Sequence, residues 1–231
     1  MLTLEGVEIR QDGFELRADF TAEAGALIAV IGASGAGKST LLNAVAGFQD
    51  LQNGRVLWQG QQISNKPPGA RPIAMLFQDN NLFPHLTVEQ NVGLGIDPGL
   101  RLKPEQKDAV KAALKRVGLD GFAGRKPGQL SGGQQSRAAL ARVLVQRRPL
   151  MLLDEPFAAL GPALKNEMLD LVGELAREIG ATVLMVSHEP KDAERFADMA
   201  ILVAEGQAAP PMAVSALMAD PPEALRAYLG N

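Results

Sequence analysis

The sequence contains no cysteine, which excludes disulfides and thiolate metal sites. That absence fits a reducing compartment. Basic charge is not in excess either: 23 Lys and Arg against 26 Asp and Glu leave a net charge of −3. The electrostatic footprint of a nucleic-acid binder is therefore missing. No uninterrupted apolar run approaches the roughly 18 residues of a transmembrane helix. The first residues, Met1 to Gly6, lack the basic and apolar regions of a signal peptide. These absences predict a soluble chain whose link to any membrane comes through a partner. What remains is 46% apolar and 21% charged over 231 residues. That is a globular composition, with enough chain for a sizeable core in one domain or a domain with an inserted subdomain.

Periodicity divides the chain. Leu2–Leu4, Val7–Ile9 and Phe14–Phe20 alternate apolar and polar residues, as half-buried antiparallel strands do. Residues 54–58 and 73–77 read as further strands, the second buried and ending at Gln78. From about 85 to 148 no strong strand occurs. Pro104 opens an amphipathic helix with Val110, Leu114 and Val117 inward and Lys107, Lys111 and Lys115 on a solvated face. A second helix spans Gly132–Gln146, with Ser131 as N-cap. Strands at 150–153, 182–186 and 199–203 then alternate with helices, the longest running from Pro162 to a stop at Gly180. Such alternation implies a parallel sheet covered on both faces. The tail from Ala208, with proline pairs at 210–211 and 221–222, reads as an edge element.

The segment Gly32-Ala33-Ser34-Gly35-Ala36-Gly37-Lys38-Ser39-Thr40 fits G-x-x-x-x-G-K-[ST], the loop that holds nucleotide phosphates. Its setting agrees: an apolar strand at 26–31 precedes it, and a helix that Gly47 can end follows. Backbone N–H groups and the helix dipole attract phosphate oxygens there. Lys38 would reach the β- and γ-phosphates and Ser39 would ligate Mg²⁺.

Four other signals stand at element ends, where open α/β sheets bind ligands. The strand Leu150–Leu153 runs into Asp154 and Glu155. Beside a phosphate loop, Asp154 can hold the Mg²⁺ shell and Glu155 can activate the attacking water; taken alone, the pair is equally an ordinary strand end. Ser131-Gly132-Gly133-Gln134 exposes N–H groups at a helix start, either a second anion site or a plain N-cap. Gln78 can contact Mg²⁺ or the water, and His188 can donate to the γ-phosphate. Each is uninformative by itself. His85 reads as structural or part of a partner-facing surface.

The order Gly32–Thr40, Gln78, Leu130–Gln134, Leu152–Pro156, His188 resembles the ATP-binding cassette subunit of ABC transporters over nearly the whole chain. The resemblance implies an α/β fold: a P-loop NTPase (RecA-like) core with a parallel sheet, an N-terminal antiparallel β subdomain and an inserted helical subdomain. A single ATPase domain of residues 1–231 would comprise a core at about 1–84 and 149–231 and a helical signature subdomain at about 85–148. Ser39, Gln78 and Asp154 would serve Mg²⁺. Glu155 would be the catalytic base, His188 the switch histidine and Gln78 the sensor that couples to the membrane subunit. Ser131, Gly132, Gly133 and Gln134 would bind the γ-phosphate of ATP held by a second copy, head to tail.

Residues 75–100 further resemble the ATPases of bacterial thiamine importers, and relatives serving iron, sulfate or polyamines share much of this stretch. The implied partners are two integral permease subunits or one fused permease, and indirectly a periplasmic binding protein, with no nucleic acid. The implied place is the cytoplasmic face of the bacterial inner membrane, peripherally. A non-transport cassette ATPase is the second reading, and a binding module that has lost hydrolysis the third.

The chain departs from the family at two positions. Ala158-Ala159-Leu160-Gly161 lacks the aspartate that would line the dimer interface. Arg10 or Gln11 stands about where the family stacks adenine on an aromatic residue. Phe14, or an arginine plane, is the available substitute.

Overall fold

The computed structural model describes residues 1–11 and 13–229. β1 (Leu2–Gln11) and β2 (Phe14–Ala22) pair antiparallel and alternate buried with open positions. The two short strands expected in the first eleven residues form one strand. A β-bulge between Leu4 and Val7 absorbs the break in alternation, and Gly6 supplies its left-handed backbone at φ 53°. β3 (Leu27–Ile31) is buried at every position. α1 (Lys38–Ala46) ends at Gly47, whose N–H turns back onto the carbonyls of Asn43 and Ala44. β4 (Asn53–Trp58) pairs with β1 and returns through Gln59-Gly60 to β5 (Gln61–Gln62). β6 (Ile73–Leu76) alternates half-buried and buried residues instead of being buried throughout, because it is the outermost strand of the sheet.

The next segment is helical: α2 (Val88–Gly93), α3 (Pro104–Arg116) and α4 (Gly132–Leu144). Val110 and Leu114 of α3 are buried, while its Lys107, Lys111 and Lys115 face solvent. Then follow β7 (Leu150–Asp154), α5 (Pro162–Ile179), β8 (Thr182–Val186), α6 (Pro190–Phe196) and β9 (Met199–Ala204). β10 (Gln207–Ala208), β11 (Met212–Ala213), α7 (Val214–Ala219) and α8 (Glu223–Leu229) complete the chain. The tail is more than the expected edge element. β11 pairs with β9, and Val214, Leu217 and Leu225 are buried in the core. Its proline pairs cut the tail into short pieces that fold back onto the sheet.

The main sheet runs β5-β4-β1-β2-β10-β9-β3-β8-β7-β6. β9, β3, β8, β7 and β6 are parallel, and β10 joins them to the antiparallel N-terminal strands. Alternate residues of β3 enter different cores. Leu27, Ala29 and Ile31 pack on the side of α2–α7; Ile28 and Val30 pack on the side of β1, β2 and α1. A strand buried on both faces has to be apolar without a break, which explains its sequence. The carboxyl ends of β3, β7 and β8 open onto one rim.

Candidate nucleotide site

Two glycines of the loop after β3 admit no side chain. A Cβ on Gly32, at φ 150°, would lie 2.1 Å from the carbonyl oxygen of Val203. One on Gly37, at φ 105°, would lie 2.5 Å from Cζ of Phe14. The chain can therefore pass tightly between β9 and the β1–β2 hairpin before α1 begins. Lys38 is buried, and its Nζ donates 2.8 Å hydrogen bonds to the carbonyls of Gly32 and Ala33. Burial pushes the Lys38 pKa down, and the charges of Glu155 and Asp154 oppose that. At the far end of α1, buried Arg71 donates to the carbonyls of Ala44 and Val45 at 3.0 and 2.7 Å. A cation there meets the negative end of the helix dipole.

Ser39 Oγ donates to Asp154 Oδ1 at 2.9 Å, joining the loop to the end of β7. Asp154 is buried, and desolvation raises its pKa, although the Ser39 hydrogen bond acts the other way. The next residue, Glu155, has a left-handed φ of 47°, a strained backbone of the kind that collects at functional sites. Its two carboxylate oxygens are both engaged: Oε1 by His188 Nε2, and Oε2 by Gln78 Nε2 at 3.4 Å. The structure therefore brings Lys38, Ser39, Gln78, Asp154, Glu155 and His188 together from four loops. A cavity of about 340 Å³ is lined by Lys38, Ser39, Gln78, Glu155 and His188, and also by Phe14, Ser34, Gly35, Gly37 and Thr40.

Ser131–Gln134 are not part of that cavity. They start α4 as a capping box: Ser131 Oγ accepts from Gln134 N at 3.3 Å, and Gln134 Oε1 accepts from Ser131 N at 2.9 Å. The N–H groups of Gly132 and Gly133 fall in the first turn, which has no intrahelical acceptor for them. His85 is exposed, edge-on to Phe83 at 6.0 Å. Gly161 is the N-cap of α5 with an ordinary extended backbone and no side-chain cap.

The hairpin register corrects the expectation for an arginine plane. Gln11 pairs with Phe14, and Arg10 pairs with Glu15. Side chains alternate faces along a strand. Arg10 therefore lies on the charged face, 3.6 Å from Glu15, while Phe14 lines the cavity.

Sequence reasoning passed over two buried polar groups and one half-buried lysine. Arg71 is one. Asn91 is a second: its Oδ1 accepts from Phe83 N at 2.7 Å, and its Nδ2 reaches the carbonyls of Phe83 and Thr87. With Arg142, which donates to the carbonyls of Asn80 and Asn81 at 2.8 Å, it pins the loop after Gln78 to the helical segment. The third is Lys165, taken up below.

A phosphate loop facing two acids, a glutamine and a histidine is the arrangement of an ATP-hydrolysing cassette. Residues 16–158 match the ABC transporter family, and the chain belongs to that family. It is 62% identical to the thiamine import ATP-binding protein ThiQ of Ruegeria sp. (strain TM1040) over the full length of both. It is also 62% identical to the thiamine import ATP-binding protein ThiQ of Cereibacter sphaeroides, again over the full length of both. Among solved structures it is similar to the dimeric, post-hydrolysis ATP-binding cassette MJ0796 bound to ADP and Pi. That match has 29% identity and a TM-score of 0.83, covering 93% of this chain and 99% of that one.

Proposed function

We propose that this chain hydrolyses ATP to energise thiamine uptake through a membrane permease, working as a head-to-tail pair. The observation that carries the reading is the convergence of Lys38, Ser39, Gln78, Glu155 and His188 on one cavity that excludes Ser131–Gln134. One chain offers only half of the surface around a γ-phosphate, and a second copy supplies the rest. Dimeric structures of the similar cassette MJ0796 support this. The thiamine assignment rests on the relatives' names.

Within each half, Lys38 would meet the β- and γ-phosphates. The Ser39–Asp154 pair suits Mg²⁺, since two oxygens already converge there, with Gln78 as a further ligand. Among the described residues no group of three or more His, Asp and Glu side chains could hold a metal ion alone. The remaining ligands would be phosphate oxygens and water, as is usual for this ion. A cation held by Ser39 and Asp154 would supply positive charge beside the transferred phosphoryl group. Glu155 accepts the proton of the attacking water, and His188 and Gln78 hold its carboxylate in place. Phe14 stacks on the base. The segment at about 85–148 acts as the signature subdomain, set between core segments at about 1–84 and 149–231.

Among the described residues no helix is long and apolar enough to cross a membrane. Attachment to the cytoplasmic face of the inner membrane would come through the permease, with a periplasmic binding protein delivering substrate. Labelled thiamine uptake by membrane vesicles containing this chain, its permease and binding protein tests the reading. Uptake should need ATP and stop with Glu155→Gln. Uptake of sulfate, iron or a polyamine in place of thiamine would transfer the substrate assignment.

A further inference from the structure

Lys165 lies outside the chemistry described so far. It stands in the first turn of α5 with a side chain only 12% exposed. Its Nζ lies 2.8 Å from Glu189 Oε1 and 2.7 Å from Asp192 Oδ2. Asp192, on α6, is buried and also accepts from Ser187 Oγ. Glu189 N in turn donates to Ser187 Oγ at 3.1 Å. Both neighbours of His188 are thus tied to one ammonium, Glu189 directly and Ser187 through Asp192. Burial alone would lower the Lys165 pKa; its bonds to Asp192 and Glu189 outweigh that, so it stays above the usual lysine value and charged.

His188 needs such a fastening. It borders a second cavity of about 150 Å³ that reaches in toward Phe157, Lys165 and Asp192. Its inner side therefore borders open space, and the flanking residues Ser187 and Glu189 help to set its height over Glu155.

The other end of the connection is the turn before α5. A Cβ on Gly133 would lie 2.9 Å from Leu160 Cδ2, and one on Gly132 would lie 3.8 Å from Ala159 Cβ. The start of the signature helix therefore rests on residues 159–160, five and six positions before Lys165.

We propose that Lys165 is a positioning residue: it fastens Ser187–Glu189, and so His188, to the start of α5 and to the turn beneath Gly132 and Gly133. The inference rests on the reading of the site given above. In a head-to-tail pair, the signature helix faces the partner's nucleotide and His188 faces its own. Lys165 then makes the setting of one nucleotide site depend on the other within a single chain.

Steady-state ATP hydrolysis by the purified full-length chain tests this. Lys165→Met should lower kcat about tenfold or more, the scale of a small misplacement of a positioning group. The KM for ATP should stay within about twofold, because no phosphate contact is lost. Lys165→Arg, which keeps the charge and the reach to two carboxylates, should restore about half of kcat or more. Unchanged kcat in Lys165→Met, a matching rise in KM, or no rescue by arginine overturns the proposal. If Lys165→Met does not fold, the double variant Lys165→Met with Asp192→Asn replaces it, since it leaves no unpaired buried charge. Reduced kcat with unchanged KM in that variant supports the proposal. Wild-type kcat, or failure of both variants to fold, assigns Lys165 to stability alone and overturns it. Glu155→Gln, run in parallel, separates the two readings. Hydrolysis by that variant removes the reading of the site, whereas its inactivity beside an unimpaired Lys165→Met removes only the fastening.

Discussion

Ser39 Oγ holds Asp154 Oδ1 at 2.9 Å across 115 positions of sequence. The bond ties the phosphate loop to the end of β7. Ser39→Ala should leave a buried carboxylate short of a donor, at a cost of about 1–3 kcal/mol. Urea denaturation of the nucleotide-free chain measures that. The same variant should lose the gain in ATP affinity that magnesium confers, read by calorimetry with and without the metal.

Glu155 is the meeting point of Gln78 and His188. Glu155→Gln keeps its shape but removes the basic oxygen. Hydrolysis should fall by about a hundredfold or more, the usual share of a general base, while ATP still binds. Light scattering should then find a dimer that accumulates with ATP and not with ADP.

Phe14 and Arg10 make opposite predictions because the hairpin puts them on opposite faces. Phe14→Ala should weaken ATP binding about 5- to 100-fold, the range for loss of one base-stacking aromatic. Arg10→Ala should leave the affinity unchanged. Titration with a fluorescent ATP analogue distinguishes the two.

Gly161 has φ −67° and ψ 158°, and nothing within 4 Å of where a Cβ would stand. Gly161→Asp should fold without strain. As an N-cap, aspartate gains only a few tenths of a kcal/mol over glycine, so melting should rise by about 1 °C. A more than twofold change in ATP turnover at that stability would place the position at the contact between two copies. Turnover and calorimetry on the same preparation measure both.

The phosphate loop was legible because its chemistry is local. Strand, glycines, lysine and helix follow one another within about twenty residues, and each has its own composition rule. The Ser131 N-cap and the Pro162–Gly180 helix were legible for the same reason, whereas the reciprocal Gln134 bond is visible only in the structure. Arg71, Asn91 and Lys165 were not legible, because their partners are backbone groups and carboxylates that only the folded chain delivers. The face of Arg10 failed for another reason. It depends on hairpin register, where a slip of one residue exchanges the faces, and that register is fixed by the pairing of Gln11 with Phe14 across the turn.

The buried cluster that takes Leu27, Ala29 and Ile31 of β3 also takes Val92 of α2, Val110 of α3 and Leu140 of α4. The helical segment therefore shares one packed interior with the strand that carries the phosphate loop. Any rotation of that segment has to proceed as shear, with side chains exchanging neighbours across a close-packed seam. Such a seam favours discrete settings over a continuous swing. Pinned to the segment by Asn91 and Arg142, the loop after Gln78 would shift with it in steps.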